Sequence, residues 1–153
     1  MRDPMMKSII LNSVLPYPDG AGAVLGLKWL HGASSDKVNM PIMALEAADK
    51  ARLQVFIVGA EEKNHEMAVK GIKSTYPNID LVGHLHGYQS KDRIISEVLS
   101  SKPQIILIAM GSPRQEELAT ELMALAKSGV AIGCGGALDI LSGEIRRAPT
   151  FMI

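Results

Sequence analysis

One apolar run constrains the fold more than any other feature of the chain: residues Gln104 to Met110, which lead directly into the segment Gly111 to Glu117. Ile and Leu dominate the run without alternating with polar residues, which is typical of a strand buried on both faces in a parallel sheet. Beyond it, Ser112 is predicted to cap a helix, with Pro113 at the first helical position and Gln115 as the capping-box partner. Because buried parallel strands end at ligand sites, this junction predicts a binding site. The helix is predicted to bury one face, formed by Leu118, Leu122, Leu125 and Ala126.

The same rhythm of strand and helix repeats along the chain. Apolar periodicity and turn residues predict strands at residues 8–15, 53–58, 79–82, 104–110 and 130–132. They predict a helix that follows the turn at 19–22 and ends at about residue 30, and further helices at 40–51, 61–74, 91–100 and from 113. Short links between them imply right-handed crossovers and a mostly parallel sheet with helices on both faces. With 153 residues the chain is long enough for one core. We therefore predict an α/β, Rossmann-like single domain over residues 1–153.

Composition narrows the classes of function. Lys plus Arg and Asp plus Glu each total 16, so no net charge attracts nucleic acid, and we predict no nucleic-acid partner. The single cysteine, Cys134, has no histidine near it in sequence, which favours a small packed residue over a nucleophile and fits a reducing compartment. No apolar segment reaches the roughly 18 residues that span a bilayer, and the first residues do not resemble a signal peptide. We expect a cytoplasmic protein, with peripheral contact to the inner face of the membrane and homo-oligomer formation left open.

Glycines follow four of the predicted strands, at Gly59, Gly83, Gly111 and Gly133. A glycine in such a position can serve only the sharp turn from strand to helix, where positive φ angles are needed, and this interpretation is favoured for any one of them. Parallel sheets nevertheless bind ligands beyond the carboxyl ends of their strands. Four glycines at one edge together therefore favour a ligand site.

A second glycine-rich turn lies near the amino end, directly after Asp19. The spacing from Gly20 through Gly22 to Gly26 is close to a dinucleotide-binding fingerprint. A true fingerprint leads within one βαβ unit to a strand with an acidic end, whereas here the next strand begins only at about Leu53, after a second helix, and ends at Gly59-Ala60-Glu61. An NAD(P)-dependent enzyme is therefore a disfavoured alternative. Asp19 could act as a general base, since the neighbouring glycines let a ligand approach. From spacing alone, an Asx turn or a helix cap is favoured over catalysis for this residue.

Two histidines and a glycine-rich loop are further candidates for ligand binding. His84 and His86 could place two rings on one strand face and hold a metal ion, but no third ligand stands at a recognisable spacing. We interpret them as loop residues, one of which hydrogen-bonds a substrate. Gly135 and Gly136 offer backbone N–H groups to a phosphate at a helix start, and Asp139 either belongs to that site or is an ordinary first-turn acid.

A pair of arginines, Arg146 and Arg147, stands near the end of the sequence. Guanidinium groups bind diphosphates bidentately. A solvated surface pair fits the sequence equally well, so the pair alone does not establish a binding site.

Taken together, the motifs resemble the WecG/TagA/CpsF family of bacterial glycosyltransferases. The matching stretches are Pro18-Asp19-Gly20-Ala21-Gly22, Val55 to Gly59, Gly83 to Tyr88, Met110 to Glu116, and Gly133 to Asp139 with Gly143, Arg146, Arg147, Ala148 and Pro149. No single stretch is specific. Their presence in the right order makes the match specific.

The resemblance implies transfer of a sugar, often N-acetylmannosamine or its uronic acid, from a UDP-sugar donor to a polyprenyl-diphosphate-linked acceptor in cell-wall or surface polysaccharide synthesis. It implies that Asp19 deprotonates the acceptor hydroxyl, that the anomeric carbon is inverted, and that Gln115 contacts the substrate. We predict no cofactor and assign no metal ligand. The predicted substrate-binding residues are Gly20, Gly22, Gly59, His86, Gly87, Tyr88, Gly111, Ser112, Pro113, Gln115, Glu116, Gly135, Gly136, Asp139, Arg146 and Arg147.

Three departures from the family pattern bear on activity. Members usually carry a longer segment before the Asp-Gly motif, with a Thr/Asn that lines the active site, and a basic, membrane-facing tail after the Arg-Ala-Pro motif. This chain also has Asn39 where the family has an acidic residue. We therefore expect a domain shortened at both ends relative to the family, with Arg146 and Arg147 as the nearby pair that stabilises a diphosphate leaving group. A non-catalytic nucleotide-binding or partner module that retains the fold is the alternative.

Overall fold

The computed structural model describes residues 3–17, 25–26, 28–30, 32 and 39–141. The chain divides into two compact units, one formed by Met1–Met40 with Ala148–Ile153 and the other by Pro41–Arg147. Residues 25–26 and 28–30, which belong to the helix predicted to end at about residue 30, are helical. The remaining elements are α1 (Pro4–Asn12), α2 (Met40–Ala51), β1 (Gln54–Gly59), α3 (Glu62–Thr75), β2 (Asp80–Leu85), α4 (Lys91–Ser101), β3 (Ile105–Ala109), α5 (Arg114–Leu125), β4 (Val130–Gly133) and α6 (Ala137–Leu141).

The sheet of the second unit is parallel throughout its described strands, in the order β2-β1-β3-β4. From β1 the chain crosses to β2 on one side, and it then returns to place β3 on the other side of β1. This reversal of direction makes the carboxyl ends of β1 and β3 the topological switch point of the sheet. The predicted Rossmann-like α/β architecture is confirmed.

The central strands bury both faces, which explains why their apolar residues do not alternate with polar ones. In β1, Val55 and Ile57 pack in a cluster with residues of α2, α3 and α6, while Phe56 and Val58 pack in a second cluster with residues of α4 and α5. Each buried Ile or Leu contributes about 1.5–3 kcal/mol to the free energy of unfolding. Helices therefore cover both faces of the sheet, as predicted.

The predicted strand at residues 8–15 is wrong, because Pro4–Asn12 form α1. Asp3 is the N-cap of this helix: its side chain accepts the backbone N–H groups of Met5 and Met6, at 2.8 and 3.3 Å. Pro4 occupies the start of the first turn, where its missing N–H costs nothing. The short apolar run suits a helix or a strand, and the Asp-Pro start signal decides between them.

Strand β2 continues through Gly83, so the interpretation of Gly83 as a turn residue is wrong. A Cβ atom at Gly83 would lie 2.3 Å from Cε2 of Phe56 on the neighbouring strand. The glycine therefore makes room for a buried ring rather than for a turn. The prediction that His84 lies in a loop is therefore wrong, because His84 belongs to β2. His86 follows the end of the strand.

The junction after β3 forms the predicted strand, turn and helix, but its first turn differs from the prediction. Pro113 is the N-cap of α5 and no side chain caps the helix, so the capping roles of Ser112 and Gln115 are wrong. Leu118 and Leu122 are buried as predicted. Leu125 is exposed, since it ends the helix and the chain leaves in an extended conformation at Ala126, which is half-buried.

Helices with both the length and the apolar character needed to cross a bilayer are absent from the described ranges.

Candidate functional site

The carboxyl ends of β1 and β3 approach each other closely at the switch point. The backbone N–H of Ala60 donates to the carbonyl of Ala109 at 2.9 Å. Gly59, the last residue of β1, has φ of 135°, and a Cβ atom there would lie 2.1 Å from the Ala109 oxygen. Only glycine fits at this position, because both the backbone conformation and the space exclude a side chain. Gly111 also has a positive φ, 73°, so the turn role foreseen for glycines holds at these two strand ends.

Backbone contacts join the carboxyl end of β2 to the carboxyl end of β1. Gly87 is buried, and its N–H donates to the carbonyl of Ala60 at 2.8 Å. The backbone N–H of Tyr88 donates to Nδ1 of His86 at 3.3 Å, and the Tyr88 ring is exposed. The structure thus brings Gly59, His86, Gly87 and Tyr88 together at the carboxyl ends of the strands.

Gln115 joins the start of α5 to the end of β4. Its side chain is buried, its Oε1 accepts the backbone N–H of Gly135 at 3.0 Å, and its Nε2 donates to Oε1 of Glu116 at 2.9 Å. The Gly135 N–H, which we expected to be open to a phosphate, is therefore occupied by Gln115. A Cβ atom at Gly133 would lie 3.1 Å from Nε2 of Gln115, so this glycine leaves room for the amide.

Glu116 presents a buried acceptor beside this amide. Its Oε2 is shielded from solvent and has no hydrogen-bond partner within the described part of the chain. A buried carboxylate oxygen costs free energy unless a donor satisfies it. The arrangement fits a ligand that supplies a hydroxyl or an N–H group at this point of the edge.

Arg114 is a functional candidate that the sequence analysis overlooked. Its Nη2 donates to the carbonyl of Gly87 at 3.4 Å, which places an exposed guanidinium between the start of α5 and the end of β2. One sequence signal could have identified Arg114: it is a basic residue in the first turn of a helix that follows a buried strand. The contact provides a positive charge at the edge, suited to an anionic ligand.

His65 is a second residue that the sequence analysis missed. It lies on the apolar face of α3, where Ala68, Val69 and Ile72 mark the helical spacing, and it is buried. Its Nδ1 lies 2.9 Å from the Gly59 carbonyl, and its Nε2 lies 3.0 Å from Nδ1 of His84. Burial lowers the pKa of His65, and the neighbouring His84 adds to the effect, while the Gly59 carbonyl opposes it.

Cys134 lies in the core, with its Sγ 3.2 Å from the carbonyl oxygen of Ile132. It packs beside Leu138 and Ala109 in the first apolar cluster. The packed environment agrees with the interpretation of this residue as a small structural side chain.

Several predicted site residues fall beyond what the structure describes. They are Asp19, Gly20, Gly22, Arg146 and Arg147. Asp139 lies in α6, and its side chain is likewise outside the described part. Gly111, Ser112, Pro113 and Gly136 are exposed at the strand ends.

This combination of features defines a class: a Rossmann-like α/β protein whose candidate ligand site lies at the switch point of a parallel sheet. The family model for the glycosyl transferase WecG/TagA/CpsF family matches residues 1–153. The chain belongs to this family.

Curated relatives carry a more specific name. The chain is 27% identical over 157 residues to N-acetylglucosaminyldiphosphoundecaprenol N-acetyl-beta-D-mannosaminyltransferase of Bacillus spizizenii (strain ATCC 23059 / NRRL B-14472 / W23), and 29% identical over 157 residues to the protein of that name from Bacillus subtilis (strain 168). Both matches cover 100% of this chain and 61% of the relative, so the chain spans about three fifths of their length. A Staphylococcus aureus (strain NCTC 8325 / PS 47) protein of that name is 33% identical over 107 residues, covering 69% of this chain and 42% of the relative.

Proposed function

We propose that this chain forms the donor-binding part of a glycosyltransferase that moves N-acetylmannosamine from a UDP-sugar to a polyprenyl-diphosphate-linked acceptor, in cell-wall or surface polysaccharide synthesis. Membership of the family supports the transferase class, and the relatives' name supports the sugar and the lipid-linked acceptor. Because that acceptor is anchored in a membrane, the proposal includes peripheral contact with the inner face of the cell membrane.

The main support for the proposed donor site is the set of polar side chains that line the switch point. Arg114 reaches Gly87 across the edge, and Gln115 is fixed against Gly135. A guanidinium charge suits a diphosphate, and amide groups suit the edge of a uracil or a sugar hydroxyl. The donor is proposed to lie over Gly111, where the absence of a side chain leaves open space and lets the donor approach the backbone.

The proposed reaction is a single displacement at the anomeric carbon. Asp19 takes the proton of the acceptor hydroxyl, and the oxygen attacks the anomeric carbon from the face opposite UDP. The bond from that carbon to the UDP oxygen breaks, and its electron pair leaves with the diphosphate. Positive charge stabilises the leaving group, supplied by Arg114 and by Arg146 and Arg147.

Isothermal titration calorimetry of the chain with UDP and with UDP-N-acetylmannosamine tests the donor site. Saturable heat with both ligands is expected, and NADH serves as the control nucleotide. Absence of heat with either uridine ligand at millimolar concentrations would exclude the donor site. Heat with NADH but not with UDP would favour the dinucleotide alternative instead.

Transfer is tested separately, by supplying a lipid-linked N-acetylglucosamine diphosphate acceptor in detergent and measuring UDP release. Replacing Asp19 by Asn keeps the size of the side chain and removes the base, so kcat is expected to fall by about 100-fold or more with donor affinity unchanged. Turnover close to that of the unmodified chain would remove Asp19 from the role of base. UDP binding without any transfer would identify a non-catalytic nucleotide-binding module.

A further inference from the structure

Three side chains near the end of β1 place metal-ligating atoms together. They are His65 and Glu66 in α3 and His84 in β2, and their ligand atoms all lie within 4.8 Å of one another. Nε2 of His65 is 3.0 Å from Nδ1 of His84, and Oε1 of Glu66 is 3.9 Å from that same Nδ1. The helix and the strand that carry them are adjacent in space but separate in sequence.

The Gly59 carbonyl fixes the tautomer of the His65 ring. A carbonyl oxygen only accepts hydrogen bonds, so the contact of 2.9 Å requires the proton on Nδ1 of His65. The lone pair of the neutral ring then lies on Nε2, directed toward His84. A backbone carbonyl that holds the other ring nitrogen of a histidine is the usual support of a metal ligand, since it sets both tautomer and ring orientation.

We propose that His65, His84 and Glu66 bind a divalent transition-metal ion, best matched by Zn²⁺. Two nitrogens bound to one tetrahedral zinc at 2.0–2.1 Å lie roughly 3.3 Å apart, so the two rings need to separate by only a few tenths of an ångström. On binding, His84 carries its proton on Nε2 and offers Nδ1 to the metal. Two histidines and one glutamate, with a fourth position open, are a known zinc donor set.

The choice of ion follows from the donors and their exposure. Imidazole nitrogens suit zinc, copper, iron and nickel, whereas magnesium and calcium prefer a full set of oxygen ligands. His65 is buried, but the side chains of His84 and Glu66 are 31% and 53% exposed, which leaves a route for the ion from solvent. The bound ion would link the first two turns of α3 to β2, independently of any sugar transfer.

The test is a titration of the metal-free chain with Zn²⁺ in competition with a chromophoric chelator, followed by thermal unfolding with and without Zn²⁺. One ion per chain is expected, with a raised Tm. His84→Ala and Glu66→Gln are each expected to weaken binding by at least about tenfold. The matched control is Glu62→Gln, on the exposed start of the same helix, which should retain the affinity of the unmodified chain.

Co²⁺ provides a second readout, because its visible absorption reports tetrahedral coordination with nitrogen ligands. The two substituted side chains are partly exposed, and circular dichroism verifies that the variants fold. Absence of zinc binding at millimolar concentration would overturn the proposal. Affinity equal to that of the unmodified chain in both His84→Ala and Glu66→Gln would also overturn it, since the ion would then be held elsewhere.

Discussion

The side-chain oxygen of Gln115, in the first turn of α5, accepts a hydrogen bond from the backbone N–H of Gly135, 3.0 Å away beyond the end of β4. The two residues are 20 positions apart in sequence. A second hydrogen bond, from Nε2 of Gln115 to Glu116, orients the amide. The start of α5 and the end of β4 are therefore held together as one wall of the candidate site.

Replacing Gln115 by Ala should cost about 1–3 kcal/mol in the free energy of unfolding, because it removes the partners of the Gly135 N–H and of Glu116. It should also weaken UDP binding, measured by calorimetry. Gln104→Ala is the matched control at the opposite edge of the sheet, where the Gln104 amide accepts the exposed Gln54 N–H. Equal losses of UDP affinity in the two variants would contradict a specific role for Gln115.

Replacing Gly59 by Ala should destabilise the protein severely, by more than about 4 kcal/mol in urea unfolding. The new Cβ would lie 2.1 Å from the Ala109 oxygen, and the φ of 135° already disfavours any side chain. Gly111→Ala is the control, since its φ is 73° and no atom lies within 4 Å of the added Cβ. That variant should lose only about 1–2 kcal/mol, the cost of the left-handed conformation. Similar losses in both variants would show that the contact with Ala109 is relieved by small shifts.

Replacing Arg114 by Ala should weaken UDP binding by about tenfold or more, the worth of one charge-assisted hydrogen bond. Arg114→Lys should recover only part of the affinity, because lysine keeps the charge but loses the planar fork. Arg93→Ala provides the control, since Arg93 lies on α4 and contacts Gln89. An unchanged affinity for UDP in Arg114→Ala would place the diphosphate elsewhere.

The pKa of Tyr76 should lie above its usual value of about 10. Burial of the ring is the main cause, and the negative charges of Glu46 and Asp49 add to it. Because the folded protein keeps the proton longer than the unfolded chain does, the stability from this group is present below pH 10 and is lost as the pH rises through the folded-state pKa. The tyrosinate absorbance difference between the unmodified chain and Tyr76→Phe measures the pKa.

Glu46→Gln is the companion variant for this measurement. It should move the pKa of Tyr76 back toward the usual value, because one of the two negative charges is removed. A midpoint at or below 10 in the unmodified chain would contradict the prediction.

The local sequence pattern was sufficient to predict most of the helices and strands of the second unit. The unbroken apolar residues of β1 and β3 predicted strands buried on both faces, and the helices between them were predicted within one or two residues at most ends. The first unit shows where this reasoning fails. A short apolar run near Ile9 suits either structure, and the Asp3 cap decides for a helix.

The sequence by itself determined the parallel α/β architecture, which follows from periodicity, and it predicted a ligand site at the ends of the buried strands. Only the tertiary structure decided what the polar side chains do at that edge. The side chain of Gln115 accepts a hydrogen bond from Gly135, and the side chain of Arg114 donates one to Gly87. The rings of His65 and His84 are in contact. These contacts join residues 19 to 27 positions apart, and no local pattern encodes them, because they arise only when the strands are placed side by side.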